Sequence, residues 1–175
     1  MTDPRYPIGK FDAKASFLPE GRAELIRQIG DSPMKLRSAV AGLTEIQLDT
    51  PYRSEGWTVR QVAHHLPDSH VNAYVRWKLA LTEDNPTIKP YAENLWAELD
   101  DARTAPVEMS LKLLESLHVR WVVFLRSLKP EDFLRSFYHP ERGIMSLDVQ
   151  LGLYAWHGRH HVAQITSLRE RMGWK

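Results

Sequence analysis

SLDVQLGLYAWHGRHHVAQITSLRERM, residues 146–172, is the stretch from which the fold can be read. Leu147, Leu151, Tyr154, His157, His161, Ile165 and Leu168 recur at steps of three and four, so they share one face of a long helix. Ser146 suits the N-cap, and Asp148 sits favourably near the positive end of the helix dipole. A helix with such a stripe must lie against other helices, and three more segments offer matching faces. Residues 59–81 follow Thr58, with Gln61 three positions on at capping-box spacing, and present Val62, His65, Leu66, Ser69, Ala73 and Trp77. A helix from Pro106 presents Leu111, Leu114, Leu117, Trp121, Phe124 and Leu128. From Pro19 the stripe Leu25, Ile26, Ile29, Leu36, Val40 and Leu43 is intermittent, and Gly30 and Pro33 predict a bend or break.

No stretch alternates long enough to suggest a sheet. The expectation is therefore an all-α four-helix bundle with long connections, one domain over residues 1–175, with residues 1–18 as an extended N-terminal arm. Residues 82–105 read as a long connection carrying a short helix around Asn94 to Asp100, and residues 129–145 as a loop.

Composition narrows the chemistry. The 175 residues suit one domain, and 43% hydrophobic with 26% charged residues is ordinary for a folded protein. Twenty-three Lys plus Arg against 22 Asp plus Glu give a net charge of +1, which supplies no general attraction to nucleic acid or anionic membrane. There is no cysteine, so disulfides, thiolate nucleophiles, Fe–S clusters and Cys-ligated zinc are excluded. The apolar run Trp121–Leu125 is far shorter than the ~20 residues a membrane helix needs. Residues 1–7 lack the apolar core of a signal peptide, and a cytoplasmic location is expected.

The histidines concentrate in two stretches, residues 61–70 and 156–164. His157 and His161, four apart, send two imidazoles in one direction, at a separation one metal ion can bridge. His160 lies roughly 100° away on the helical wheel. On the preceding histidine-bearing helix His65 falls on the buried stripe, whereas His64 points elsewhere. His65, His157 and His161 are thus the expected ligands of one divalent metal ion. Three imidazoles leave a position open for water or substrate, the arrangement of catalytic rather than structural zinc. No Glu adjoins the first ligand in His157-Gly158-Arg159-His160-His161, which sets the motif apart from zincins. Gln164, Asp68, His160 and Tyr154 are candidate pocket residues or partners of the ligands, because a bound imidazole donates its other N–H. His70, His118 and His139 are further candidates to line the pocket.

Trp57-Thr58-Val59-Arg60-Gln61 leading into His65-Leu66 and Asp68-Ser69, with His157, His160, His161 and Gln164 near the C-terminus, resembles the DinB/YfiT-like superfamily. The match is closest to its YfiT-like metal-dependent hydrolases. Phe137-Tyr138-His139-Pro140 and Arg171-Met172-Gly173-Trp174 extend it over nearly the whole chain. The resemblance implies a four-helix bundle, a bound zinc or nickel ion, a homodimer, and ligand positions falling on His65, His157 and His161. It also implies hydrolysis of a small-molecule substrate. Related members instead join low-molecular-weight thiols such as bacillithiol to electrophiles, and a bundle that binds metal or a small molecule without turnover is the third expectation. Pro67 stands where these proteins commonly carry a small residue, and predicts a kink just after His65.

Overall fold

The capping signals set where the helices begin. At Thr58 the hydroxyl accepts from Gln61 N–H at 3.1 Å while Gln61 Oε1 accepts from Thr58 N–H at 2.9 Å, so two otherwise orphaned donors are satisfied reciprocally. Ser146 accepts from Val149 N–H at 3.3 Å, and Pro19 opens its helix where a missing N–H costs nothing. The computed structural model describes residues 3–13 and 17–175. In chain order the elements are α1 (Pro19–Val40), α2 (Glu45–Leu48), α3 (Val59–Thr82), α4 (Glu93–Trp96), α5 (Asp100–Thr104), α6 (Val107–Arg126), β1 (Ser136–His139), β2 (Gly143–Ser146) and α7 (Leu147–Met172).

The four long helices form the expected bundle, with α1 and α3 each packed against both α6 and α7. The core falls into two apolar halves. One gathers Ile29, Trp77, Trp121, Leu125 and Leu151, and the other Leu36, Val62, Leu66, Leu114 and Ile165. Between them every long helix contributes a polar or small residue: Ser32 from α1, His70 from α3, His118 from α6, and His157 and Gly158 from α7. A buried polar layer of this kind is stable only when its groups are paired. On α6 the inward residues are Leu111, Leu114, His118, Trp121 and Leu125, whereas Leu117, Phe124 and Leu128 are only half-buried.

Several expectations are corrected. Pro33 and Gly30 do not break α1, which runs through both. α3 continues through Pro67 to Thr82, which leaves the expected kink just after His65 neither shown nor overturned. Residues 129–145 are not a plain loop: a 3₁₀ turn over Pro130–Leu134 precedes an antiparallel hairpin pairing Ser136 with Ser146 and His139 with Gly143. Its strands have four residues each, too few for period-two alternation to stand out. Gly143, at φ 75°, supplies the left-handed residue that closes the three-residue turn. The connection 82–105 carries two short helices rather than one, and α2 was not foreseen. The described part of the N-terminal arm lies on α7, where Trp156 Nε1 donates to Gly9 O at 3.3 Å. Arm residues 1, 2 and 14–16 lie outside the described residues.

Candidate metal centre

α3 brings His65, and α7 brings His157 and His161, to one point. Nε2 of His157 stands 3.3 Å from Nε2 of His65 and 3.2 Å from Nε2 of His161, and one ring nitrogen from each of the three lies within 4.8 Å of the others. Gly158, beside His157, lets α7 lie close against α1, since a Cβ there would collide with Ser32 Oγ. The half-buried Trp57 covers the group, its ring centroid 4.6 Å from that of His65 and 6.4 Å from that of His161.

The protonation of these rings follows from a single proline. Pro33 has no N–H, so the carbonyl of Ile29, four residues earlier, lacks its helical donor. Nδ1–H of His118 donates to that carbonyl at 2.6 Å. The other nitrogen of a neutral His118 is then bare and accepts from Nδ1–H of His70 at 2.7 Å. His70 in turn accepts at Nε2 from Nδ1–H of His157, at 3.1 Å. His157 is left with a bare Nε2. On the other side Nδ1–H of His161 donates to Gln164 Oε1 at 2.8 Å. The amide orientation is fixed because Gln164 Nε2 donates to the Arg5 carbonyl at 3.2 Å and to His160 Nε2 at 3.0 Å. A flipped amide would set oxygen against oxygen. His161 Nε2 is therefore bare as well.

Two lone pairs thus face each other at 3.2 Å in the interior. Protonation is a poor remedy. Burial, and then the neighbouring imidazoles, hold His157 and His161 well below the ordinary imidazole range. Burial brings His65 and His118 down to about 4. A cation between the nitrogens resolves the repulsion, and the donor set suits a divalent metal ion. Two nitrogens bound at ~2.1 Å with a tetrahedral angle lie about 3.4 Å apart, close to the 3.2 and 3.3 Å found here.

The remaining candidates fall in different places. Gln164 accepts from His161 and so holds its ring. His160, also lowered to about 4 by burial, accepts from Gln164 and stacks on Trp156 with centroids 4.3 Å apart. Tyr154 donates to the Ser69 carbonyl at 3.3 Å and borders the cavity. Asp68 forms no hydrogen bond to any histidine among the described residues; burial and then Asp101 raise it to about 6. His70 and His118 do not line the pocket but back His157 instead. The sequence signal for this was His118 standing where Leu114 and Trp121 bracket it on the inward stripe of α6. The cavity in front of His65, His157 and His161 has a volume of about 970 Å³ and runs between α3 and α7 to His139 of the hairpin.

Comparison with known proteins agrees with this geometry. Residues 28–165 match the DinB superfamily. The chain belongs to that superfamily. A Bacillus cereus protein named "Putative metal-dependent hydrolase" is 58% identical over 174 residues, covering 99% of this chain and 100% of its own. A Bacillus mycoides relative named in the same way is 56% identical over 174 residues, with the same coverage. YfiT from Bacillus subtilis, described as "a probable metal-dependent hydrolase with an unusual four-helix bundle topology", matches with a TM-score of 0.97 at 50% identity, covering 99% of this chain and 100% of YfiT. As a DinB-superfamily member the chain has the expected all-α bundle, and its relatives carry metal-dependent hydrolase names. Among the described residues no helix is long and apolar enough to cross a membrane.

Proposed function

We propose that this chain is a metal-dependent hydrolase of a small molecule, with one divalent ion, zinc in the first place and nickel in the second, held by His65, His157 and His161. The observation that carries this is the facing pair of bare nitrogens on His157 and His161. When bound, such an ion supplies Lewis acidity, polarising a carbonyl or phosphoryl oxygen and lowering the pKa of water to about 7. The chain's own residues do the rest. Gln164 and the His70–His118 pair fix the ring orientation of His161 and His157, and such outer partners commonly matter ~10–100-fold for metal affinity. Tyr154, raised chiefly by burial, stays a neutral phenol and keeps the proton it donates to the Ser69 carbonyl. Trp57, with Arg5, Tyr6 and Phe11 of the N-terminal arm, forms part of the cavity wall. The resemblance adds self-association, which the exposed apolar side chains of Met34, Val119 and Val123 on α1 and α6 support.

Elemental analysis of the purified protein tests the centre. About one zinc or nickel per chain, lost in His65→Ala and His157→Ala, is expected; a metal-free protein that takes up none on addition sinks the hydrolase reading. Ester, amide and phosphoester substrates should then be cleaved without any thiol. A rate that requires an added low-molecular-weight thiol would replace hydrolysis by thiol transfer.

A further inference from the structure

The end of the cavity away from the histidines has a different character. On α3, Arg76 lies eleven residues beyond His65, three turns along the same face, which separates the two Cα atoms by about 16 Å. A helical side chain leans toward the N-terminus, so Arg76 leans back along the cavity toward the metal ligands. It is only 9% exposed and lines the cavity. Among the described residues its guanidinium has no hydrogen bond and no ion pair. A guanidinium stays charged, and the nitrogens of Arg76 are not enclosed by protein but open onto the cavity. With no partner among the described residues, its charge is available to a ligand that enters the cavity and brings the counter-charge.

Its neighbours are donors too. His139 faces inward from β1 because it alternates with the exposed Tyr138. Its Nδ1 accepts from Glu141 N–H at 3.2 Å, which leaves the ring proton on Nε2. Burial, and then Arg76 and Arg142, lower its pKa, so the ring is neutral and donates one hydrogen bond. Arg142, on the turn of the hairpin, lines the same end without an ion pair among the described residues. Gln150 of α7 is 1% exposed there, and its unpartnered Oε1 is an acceptor, so it takes no part in holding the anion. Glu93 and Glu141 also border the cavity, but both are exposed to solvent, and neither forms an ion pair with either arginine.

We propose that Arg76, with Arg142 and His139, forms an anion subsite that seats a carboxylate or phosphate group of the substrate while its reacting bond lies at the histidine end. The substrate is then an acidic small molecule whose charged tail and reactive centre are several bonds apart. A guanidinium fork matches either anion with two parallel hydrogen bonds. The placing of the reacting bond rests on the metal-dependent reading; the binding of the anion does not.

Calorimetry on chelator-treated, metal-free protein separates the two. Succinate and inorganic phosphate are the probes, and whichever binds identifies the tail as carboxylate or phosphate. A dissociation constant on the order of 1 mM or tighter is expected for at least one. Arg76→Gln should weaken that binding by about tenfold or more and Arg142→Gln by less, in keeping with an exposed rather than a buried cation. His65→Ala should leave it unchanged, and Arg76→Gln should take up metal as the parent does. Arg76→Gln should also melt no lower than the parent, because the guanidinium makes no hydrogen bond or ion pair among the described residues that the substitution would remove. Binding of neither probe, unchanged affinity in Arg76→Gln, or a large fall in its melting temperature would each overturn the subsite. Anion binding in a protein that takes up no metal would sink the hydrolase reading and leave the subsite standing.

Discussion

His64 and His65 are neighbours in sequence and almost equally hidden, 6% and 5% exposed, yet they lie in opposite situations. His64 turns toward α5 and α6. One nitrogen pairs with Ser110 Oγ at 2.7 Å and the other with the Ala105 carbonyl at 3.0 Å, so the ring is fully satisfied. His65 turns toward α7, where its Nε2 meets only another imidazole. Burial and residue type do not separate a structural histidine from a ligand. What separates them is whether both nitrogens already have partners that need no metal.

The strongest way to break this contrast is substitution on the α7 side. His157→Ala should abolish metal uptake and any metal-dependent turnover, measured as metal per chain, while the far-ultraviolet circular dichroism remains helical. Acid is next. All eight histidines sit below their usual range, with burial the largest cause for each. The unfolded chain therefore takes up protons first as the pH falls below about 6.5. Stability that is fully present above that pH is lost toward pH 4, at up to about 1.4 kcal/mol per pH unit for each buried ring. Denaturant midpoints of metal-free protein should fall steeply from pH 7 to pH 5; a flat profile would mean that the imidazoles are not held neutral by the fold.

The relay behind His157 gives a smaller effect. His118→Ala should lower metal affinity by about 10–100-fold through loss of the ring's orientation. Pro33→Ala sharpens the test, because it removes no group from the relay. It restores an N–H that competes with His118 for the Ile29 carbonyl, and a fall in affinity of about threefold to tenfold is expected by competitive chelator titration. His64→Ala is the counter-case: metal content should not change, while unfolding free energy falls by about 1–3 kcal/mol as Ser110 and Ala105 lose their partner.

Much of this was legible in the sequence. Helical phase alone put His65, His157 and His161 on converging faces, because periods of three and four residues translate directly into direction on a rigid helix. The same reasoning offered a bend or a break at Pro33, and α1 runs through it unbroken. In the folded chain a proline inside α1 costs one hydrogen bond, and that loss is offset by a donor from a helix about ninety residues away. No local pattern reports such a partner. The hairpin and Arg76 were missed for a related reason. Four-residue strands carry too little periodicity, and an arginine on an apolar stripe becomes informative only once the bundle shows that nothing answers its charge.

Trp57 has a practical consequence. Its indole lies over two of the three clustered histidines, at 4.6 and 6.4 Å between ring centroids. An ion with an unfilled d shell, such as nickel, quenches indole emission at that range, whereas closed-shell zinc does not. The difference in fluorescence between the parent and Trp57→Phe, followed as each ion is added, therefore reports occupancy and distinguishes the metals in solution.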